Sequence, residues 1–122
     1  MNKKTVIIGA TTNSARYAYM AAEMLTQYKH PIVPIGIKKG EVMHQPILDI
    51  NDRPLIENVD TITLYIGPQH QPEHYEYLLS LKPRRVIFNP GTENEEFQKM
   101  VEASGSEAIE ACTLVMLRTG QY

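Results

Sequence analysis

The chain has 122 residues, with 12 Lys and Arg against 14 Asp and Glu, and one cysteine. That length suits one domain over residues 1–122, large enough to hide about two thirds of the surface its unfolded chain exposes. The near balance of charge excludes a global field for nucleic acid or anionic membrane, so any polyanion must be held locally. A single cysteine excludes an internal disulfide framework, and apolar runs such as "TITLYI" fall far short of the roughly 20 residues that span a bilayer. The expectation is a cytoplasmic protein with no leader before its first strand and with neither membrane nor nucleic acid as partner.

Residues 4–9 form a short β-branched run stopped by glycine, as a strand buried on both faces of a parallel sheet reads. From Asn13 or Ser14, the candidate caps, to about Tyr28, small and apolar residues recur at helical spacing. "HPIVPIGI" predicts a second strand, and "KKGEVMHQP" breaks it with glycine, charge and proline. The stretch "ILDINDRPLIENVD" is too irregular for a long helix and reads as a connection with one short turn or strand. "DTITLYIG" restores the strand signal and ends sharply at Gly67-Pro68. "QPEHYEYLLSLKP" predicts a helix with Pro72 and Glu73 in its first turn, and "RRVIFNPG" a further strand. "TENEEFQKMVEASG" follows as a helix whose acidic start suits the helix dipole. "SEAIEA" is a last short strand, and "CTLVMLRTGQY" a terminal helix or tail. Alternation of this kind predicts an α/β fold: a three-layer Rossmann-like doubly wound parallel sheet of about five strands, with helices on both faces.

Ligands of such sheets sit beyond the carboxyl ends of the strands. Gly9 lets the backbone approach a ligand, and the following helix directs free N–H groups and positive dipole at it, a place suited to phosphate. A dinucleotide fingerprint needs further glycines, yet Ala10, Thr11, Thr12, Asn13 and Ser14 follow, which offers hydroxyl and amide donors instead. Two readings of Gly9-Ala10 stay open, a phosphate loop or only a tight turn. Arg16 is either a bidentate phosphate contact or a solvated charge. After the second strand a nicotinamide dinucleotide site would place an acidic residue, whereas this chain places Lys38 and Lys39. Two lysines there point to an extra ribose phosphate, of the NADP class or of a 3′-phosphorylated adenosine such as coenzyme A.

The stretch "TVIIGATTNSARYAYMAAEMLTQYKHPIVPIGIKKGEV" resembles the opening of the small stand-alone coenzyme A-binding domains. "VDTITLYIGP", "KPRRVIFNPGTENEEF" and "EACTLVMLRTGQY" look like later blocks of one branch of that family, so the likeness spans essentially the whole chain. The resemblance implies a Rossmann-like domain related to the coenzyme A-binding part of the succinyl-CoA synthetase α subunit. It implies that Gly9, Ala10, Thr11 and Thr12 face phosphates, that Pro34 and Ile35 border the nucleoside, and that Lys38 reaches a phosphate. It further implies that Ile66, Gly67 and Pro68 close over the adenine or pantetheine side and that the segment from Asn89 to Asn94 lines the floor. The family commonly has Asn-Pro after the second strand, where this chain has Gly36-Ile37, and often an Arg after the next strand, where this chain has Gly67.

No catalytic set emerges. His70 and His74 are four apart, but Pro72 lies between them and no third ligand or HExxH pattern completes a zinc site. Glu93, Glu95 and Glu96 already have a reason to sit at a helix start. Cys112 is either a thiol activated by the helix beginning near Thr113, able to pair with coenzyme A, or a buried cysteine acting as a small apolar residue. The tyrosines are scattered without the basic interleaving of an RNA-stacking surface. The expected function is a module that binds coenzyme A or an acyl-CoA without a reaction of its own. An NADP-type oxidoreductase, or other nucleotide-using enzyme, and a Cys112-dependent redox or regulatory protein are the alternatives. A protein partner or homo-oligomer is left open.

Overall fold

The structure is a computed structural model and describes residues 2–122. Its chain order is β1 (Thr5–Ile8), α1 (Tyr17–Gln27), β2 (Ile32–Gly36), β3 (Glu41–Val42), β4 (Gln45–Pro46), β5 (Leu48–Asp49), β6 (Thr61–Leu64), α2 (Tyr75–Ser80), β7 (Arg85–Phe88), α3 (Glu95–Ala103), β8 (Glu107–Glu110) and α4 (Thr113–Arg118). Among the described residues no helix is long and apolar enough to cross a membrane.

Among the described residues six strands pair in parallel in the order β5-β2-β1-β6-β7-β8, in keeping with the expected sheet of about five, with Leu48–Asp49 as a two-residue edge beside β2. In register, Ile7 lies between Pro34 on β2 and Thr63 on β6. The strand side chains alternate between two cores. Val6, Ile8, Ile62, Leu64, Val86 and Phe88 face α2 and α3, which add Leu78, Phe97 and Val101. Ile7 faces the other way and packs with Ala18, Ala21, Ala22 and Leu25 of α1 and with Leu114 and Leu117 of α4. The run of alanines keeps α1 close to the sheet, and full burial of the central strands explains why they read as unbroken apolar runs.

Three local details differ from the sequence reading. Helix α1 begins at Tyr17, not at Asn13 or Ser14: the Asn13 side chain accepts the Ala15 N–H at 3.0 Å and closes a turn ahead of the helix. The break after β2 holds a hairpin, β3 with β4, turned by Met43 and His44, both at positive φ. The helix expected from Pro72 starts as a short 3-10 turn, Pro72–His74, and becomes α-helical at Tyr75.

Candidate functional site

The chain leaves β1 toward β2 on one side of the sheet and later returns to β6 on the other, so strand order reverses between β1 and β6. A pocket of about 590 Å³ opens at that point, beyond the carboxyl ends of β1, β2, β6 and β7.

Its first wall is the loop after β1, with Gly9, Ala10 and Thr11. Gly9 has φ 96°, and a Cβ there would stand 2.9 Å from the Tyr65 carbonyl oxygen, so the position admits only glycine without strain. The Gly9 and Ala10 N–H groups both donate to the Ile35 carbonyl, at 2.9 and 3.0 Å. They anchor the loop to β2 and leave other donors to meet a ligand. Thr11 Oγ1 accepts the Asn13 N–H at 3.1 Å, which folds the polar stretch onto itself. At the start of α1 no side chain caps the helix, and among the described residues the Tyr17 and Ala18 N–H groups meet no acceptor. Such orphan donors, with the helix dipole behind them, form an anion-binding end.

Arg16 and Lys38 also line the pocket, both exposed, and among the described residues neither forms an ion pair. The two cations and the uncapped helix end therefore lie along the β1–β2 side. Thr12, expected beside them, is exposed and close to Gly40 rather than in the lining. Pro34 and Ile35 lie one step behind: both are buried on β2, and the residues of that strand end that reach the pocket are Gly36 and Ile37. Gly36 is required by space, since a Cβ there would be 2.6 Å from the Ala10 carbonyl oxygen. The glycine that departs from the family's spelling thus lets two loops cross in close contact.

The opposite wall comes from the segment after β6. Ile66 and Gly67 line the pocket, while Pro68, exposed, stands outside it at the start of a 3-10 turn. His70, Glu73 and His74 complete this wall. Pro90, Gly91 and Thr92 contribute from the segment after β7, whereas Asn89 is buried behind them. Asn89 donates to Thr63 Oγ1 at 2.7 Å and to the Leu64 carbonyl at 2.9 Å, and its Oδ1 accepts the Thr113 N–H at 2.9 Å. Its place is structural: it ties the ends of β6 and β7 to the start of α4.

Gln71, not singled out in the sequence, and His74, weighed there only as a metal ligand, shape this side. Gln71 is fully buried and donates to the Ile66 carbonyl at 3.0 Å and the Thr92 carbonyl at 2.8 Å, while its Oε1 accepts from Asn94 at 2.9 Å. It spans the gap between both lining loops. His74 is almost fully buried, with Nδ1 2.7 Å from Arg53 Nη1. Since the guanidinium only donates, His74 Nδ1 accepts and the ring proton sits on Nε2, 3.6 Å from Glu73 Oε1. Burial holds the His74 pKa below the ordinary imidazole value; the Glu73 carboxylate opposes that shift and Arg53 adds to it. No sequence signal separates such a histidine from a solvated one.

Cys112 is half-buried among the residues packed between α1 and α4, precedes α4 without a capping side-chain bond, and is not in the lining. Among the described residues no group of three or more His, Cys, Asp or Glu is placed to hold a metal ion.

A family model described as "CoA binding domain" matches residues 3–118. A crystal structure of an uncharacterised protein superposes with TM-score 0.96 at 55% identity, covering 100% of this chain and 99% of that one. A Thermus thermophilus structure gives TM-score 0.85 at 21% identity, over 99% of this chain and 91% of its own. A hypothetical protein from Pyrococcus horikoshii gives 0.84 at 20% identity, over 97% and 83%. The latter two likenesses speak for the fold alone. No curated protein matches the chain.

Proposed function

The chain belongs to the coenzyme A-binding domain family, and from that premise we propose that it binds coenzyme A or an acyl-CoA in the pocket between β1 and β6, without a reaction of its own. The observation that carries this reading is the pairing of an uncapped helix start with two cations, Arg16 and Lys38, that form no ion pair among the described residues, on one side of that pocket. Phosphates are held by such donors, and Arg16 has the fork geometry for bidentate contact. Gly9, Ala10 and Thr11 supply the close-approach backbone, and Ile66 and Gly67 the facing wall. Pro34, Ile35 and Asn89 act from behind the lining by fixing the loops, while Thr12 and Pro68 are exposed outside it. The donor set suits the group: phosphate-binding elements lie on one side, and a mixed wall of Ile66, Pro90 and polar side chains faces them.

The test is calorimetric titration of the reduced protein with coenzyme A, dephospho-coenzyme A, NADP and NAD, repeated with Lys38→Ala and Arg16→Ala. The expected result is preferred binding of coenzyme A, weakened about tenfold by each substitution, the size of one lost charge-assisted contact. Preference for NADP would move the protein to the oxidoreductase reading. Absence of binding to all four would overturn the proposal.

A further inference from the structure

The pocket is electrically divided. Arg16 and Lys38 lie on the side of β1 and β2, whereas Glu73 is, among the described residues, the one carboxylate in the lining and lies on the wall after β6, beside His74. His74 is held from behind by Arg53, through the 2.7 Å contact between Nη1 and Nδ1 and through Nη2 donating to the Glu73 carbonyl at 2.9 Å. The imidazole is therefore fixed in place with Nε2–H as its remaining donor. At 3.6 Å that nitrogen lies beyond hydrogen-bond distance of the Glu73 carboxylate, which leaves the donor free for a ligand carbonyl.

We propose that Glu73 and His74 form the acyl-arm end of the pocket and select uncharged acyl thioesters over carboxylated ones. The inference rests on the coenzyme A reading above. Phosphates are drawn to the cationic side and repelled by Glu73, so a ligand with a charged nucleotide and a neutral arm enters in one direction. His74 Nε2–H then donates to a carbonyl of the arm. A second carboxylate on the acyl group would face Glu73. Like charges at the edge of solvent disfavour each other by about three- to tenfold in binding.

Butyryl-CoA and succinyl-CoA have acyl chains of equal carbon count and differ in the terminal carboxylate, so they separate charge from size. Calorimetric titration of the whole protein with coenzyme A and both thioesters, for the unaltered chain and for Glu73→Gln and His74→Gln, tests the proposal. Glu73 is exposed, so its substitution leaves the fold intact. The expected result is butyryl-CoA bound at least threefold more tightly than succinyl-CoA, with the gap closing in Glu73→Gln. Gln at position 74 retains a terminal N–H and is expected to keep the preference. Equal affinity for both thioesters in the unaltered chain, or a gap that Glu73→Gln leaves unchanged, overturns the proposal and leaves coenzyme A binding standing. A chain that binds coenzyme A in no form overturns both.

Discussion

Asn89 donates to the Thr63 hydroxyl at 2.7 Å in the interior of the sheet, joining the end of β7 to the middle of β6 beneath the pocket. The same side chain serves the Leu64 carbonyl and the Thr113 N–H, and Thr63 Oγ1 also lies 2.8 Å from Thr113 Oγ1. Truncation at position 89 strands several buried polar groups at once, and each costs about 1–3 kcal/mol when left unmet. Asn89→Ala is therefore expected to lower unfolding stability by about 2–4 kcal/mol in a urea titration. Its ligand affinity, measured where the variant is folded, should fall less than that of Lys38→Ala, because Asn89 is not in the lining.

The sheet was legible because its central strands are buried on both faces and are written as β-branched runs stopped by glycine. The loops beyond their carboxyl ends followed from that order. What the residues could not convey was depth within those loops. Asn89 reads alike as a pocket floor or as an internal tie, since both uses want the same amide. Pro34 and Ile35 lie one residue short of the lip, and only the three-dimensional end of β2 shows that Gly36 and Ile37 reach the pocket. The hairpin at Glu41–Pro46 was hidden for a different reason: Met43 and His44 take positive φ without the glycine that announces such a turn. His74 is met by Arg53 from a distant part of the chain, which no local pattern encodes.

Gly36→Ala tests the crossing of the two loops. Its added methyl would meet the Ala10 carbonyl oxygen at 2.6 Å, and that atom belongs to backbone anchored by hydrogen bonds to Ile35. Relief requires the loop after β1 to move away from β2. The expected outcome is a loss of about 1–3 kcal/mol in denaturant unfolding, typical of overpacking, together with weaker coenzyme A binding. Unchanged stability and affinity would mean that the loops separate freely.

Gln71→Leu keeps volume but removes the donors to Ile66 and Thr92 and the acceptor for Asn94. The buried Thr92 carbonyl and two half-buried partners each lose a bond, so stability should drop by about 1–3 kcal/mol. The two loops it joins both line the pocket, so affinity for coenzyme A should fall even at temperatures where the variant is fully folded. Circular dichroism alongside titration separates the two effects.

Acid should weaken the fold through two histidines. Burial lowers the pKa of His74 and of His30 in the folded state. The unfolded chain then binds more protons than the folded one as pH falls below about 6.5, the ordinary imidazole value, and stability declines until the lower folded pKa is reached. Urea midpoints measured between pH 7.5 and 5 should fall as acid is added. In His74→Gln, which cannot titrate there, part of that slope should vanish.

Tyr65 offers the opposite, alkaline case. Its hydroxyl is buried near Thr63 and Thr113 without reaching hydrogen-bond geometry to either, and burial pushes its pKa up to about 12. As pH rises past about 10, the unfolded phenol ionises while the folded one keeps its proton, so stability is lost between those two values. Tyr65→Phe removes both the unmet hydroxyl and this pH dependence. At neutral pH it should leave stability unchanged or raise it by up to about 1 kcal/mol, since no bond is broken and one desolvated polar group disappears. Above pH 10 its advantage over the unaltered chain should widen, which denaturant titration at neutral and alkaline pH would measure. A Tyr65→Phe variant that is less stable at both would show that the hydroxyl finds a partner in solution.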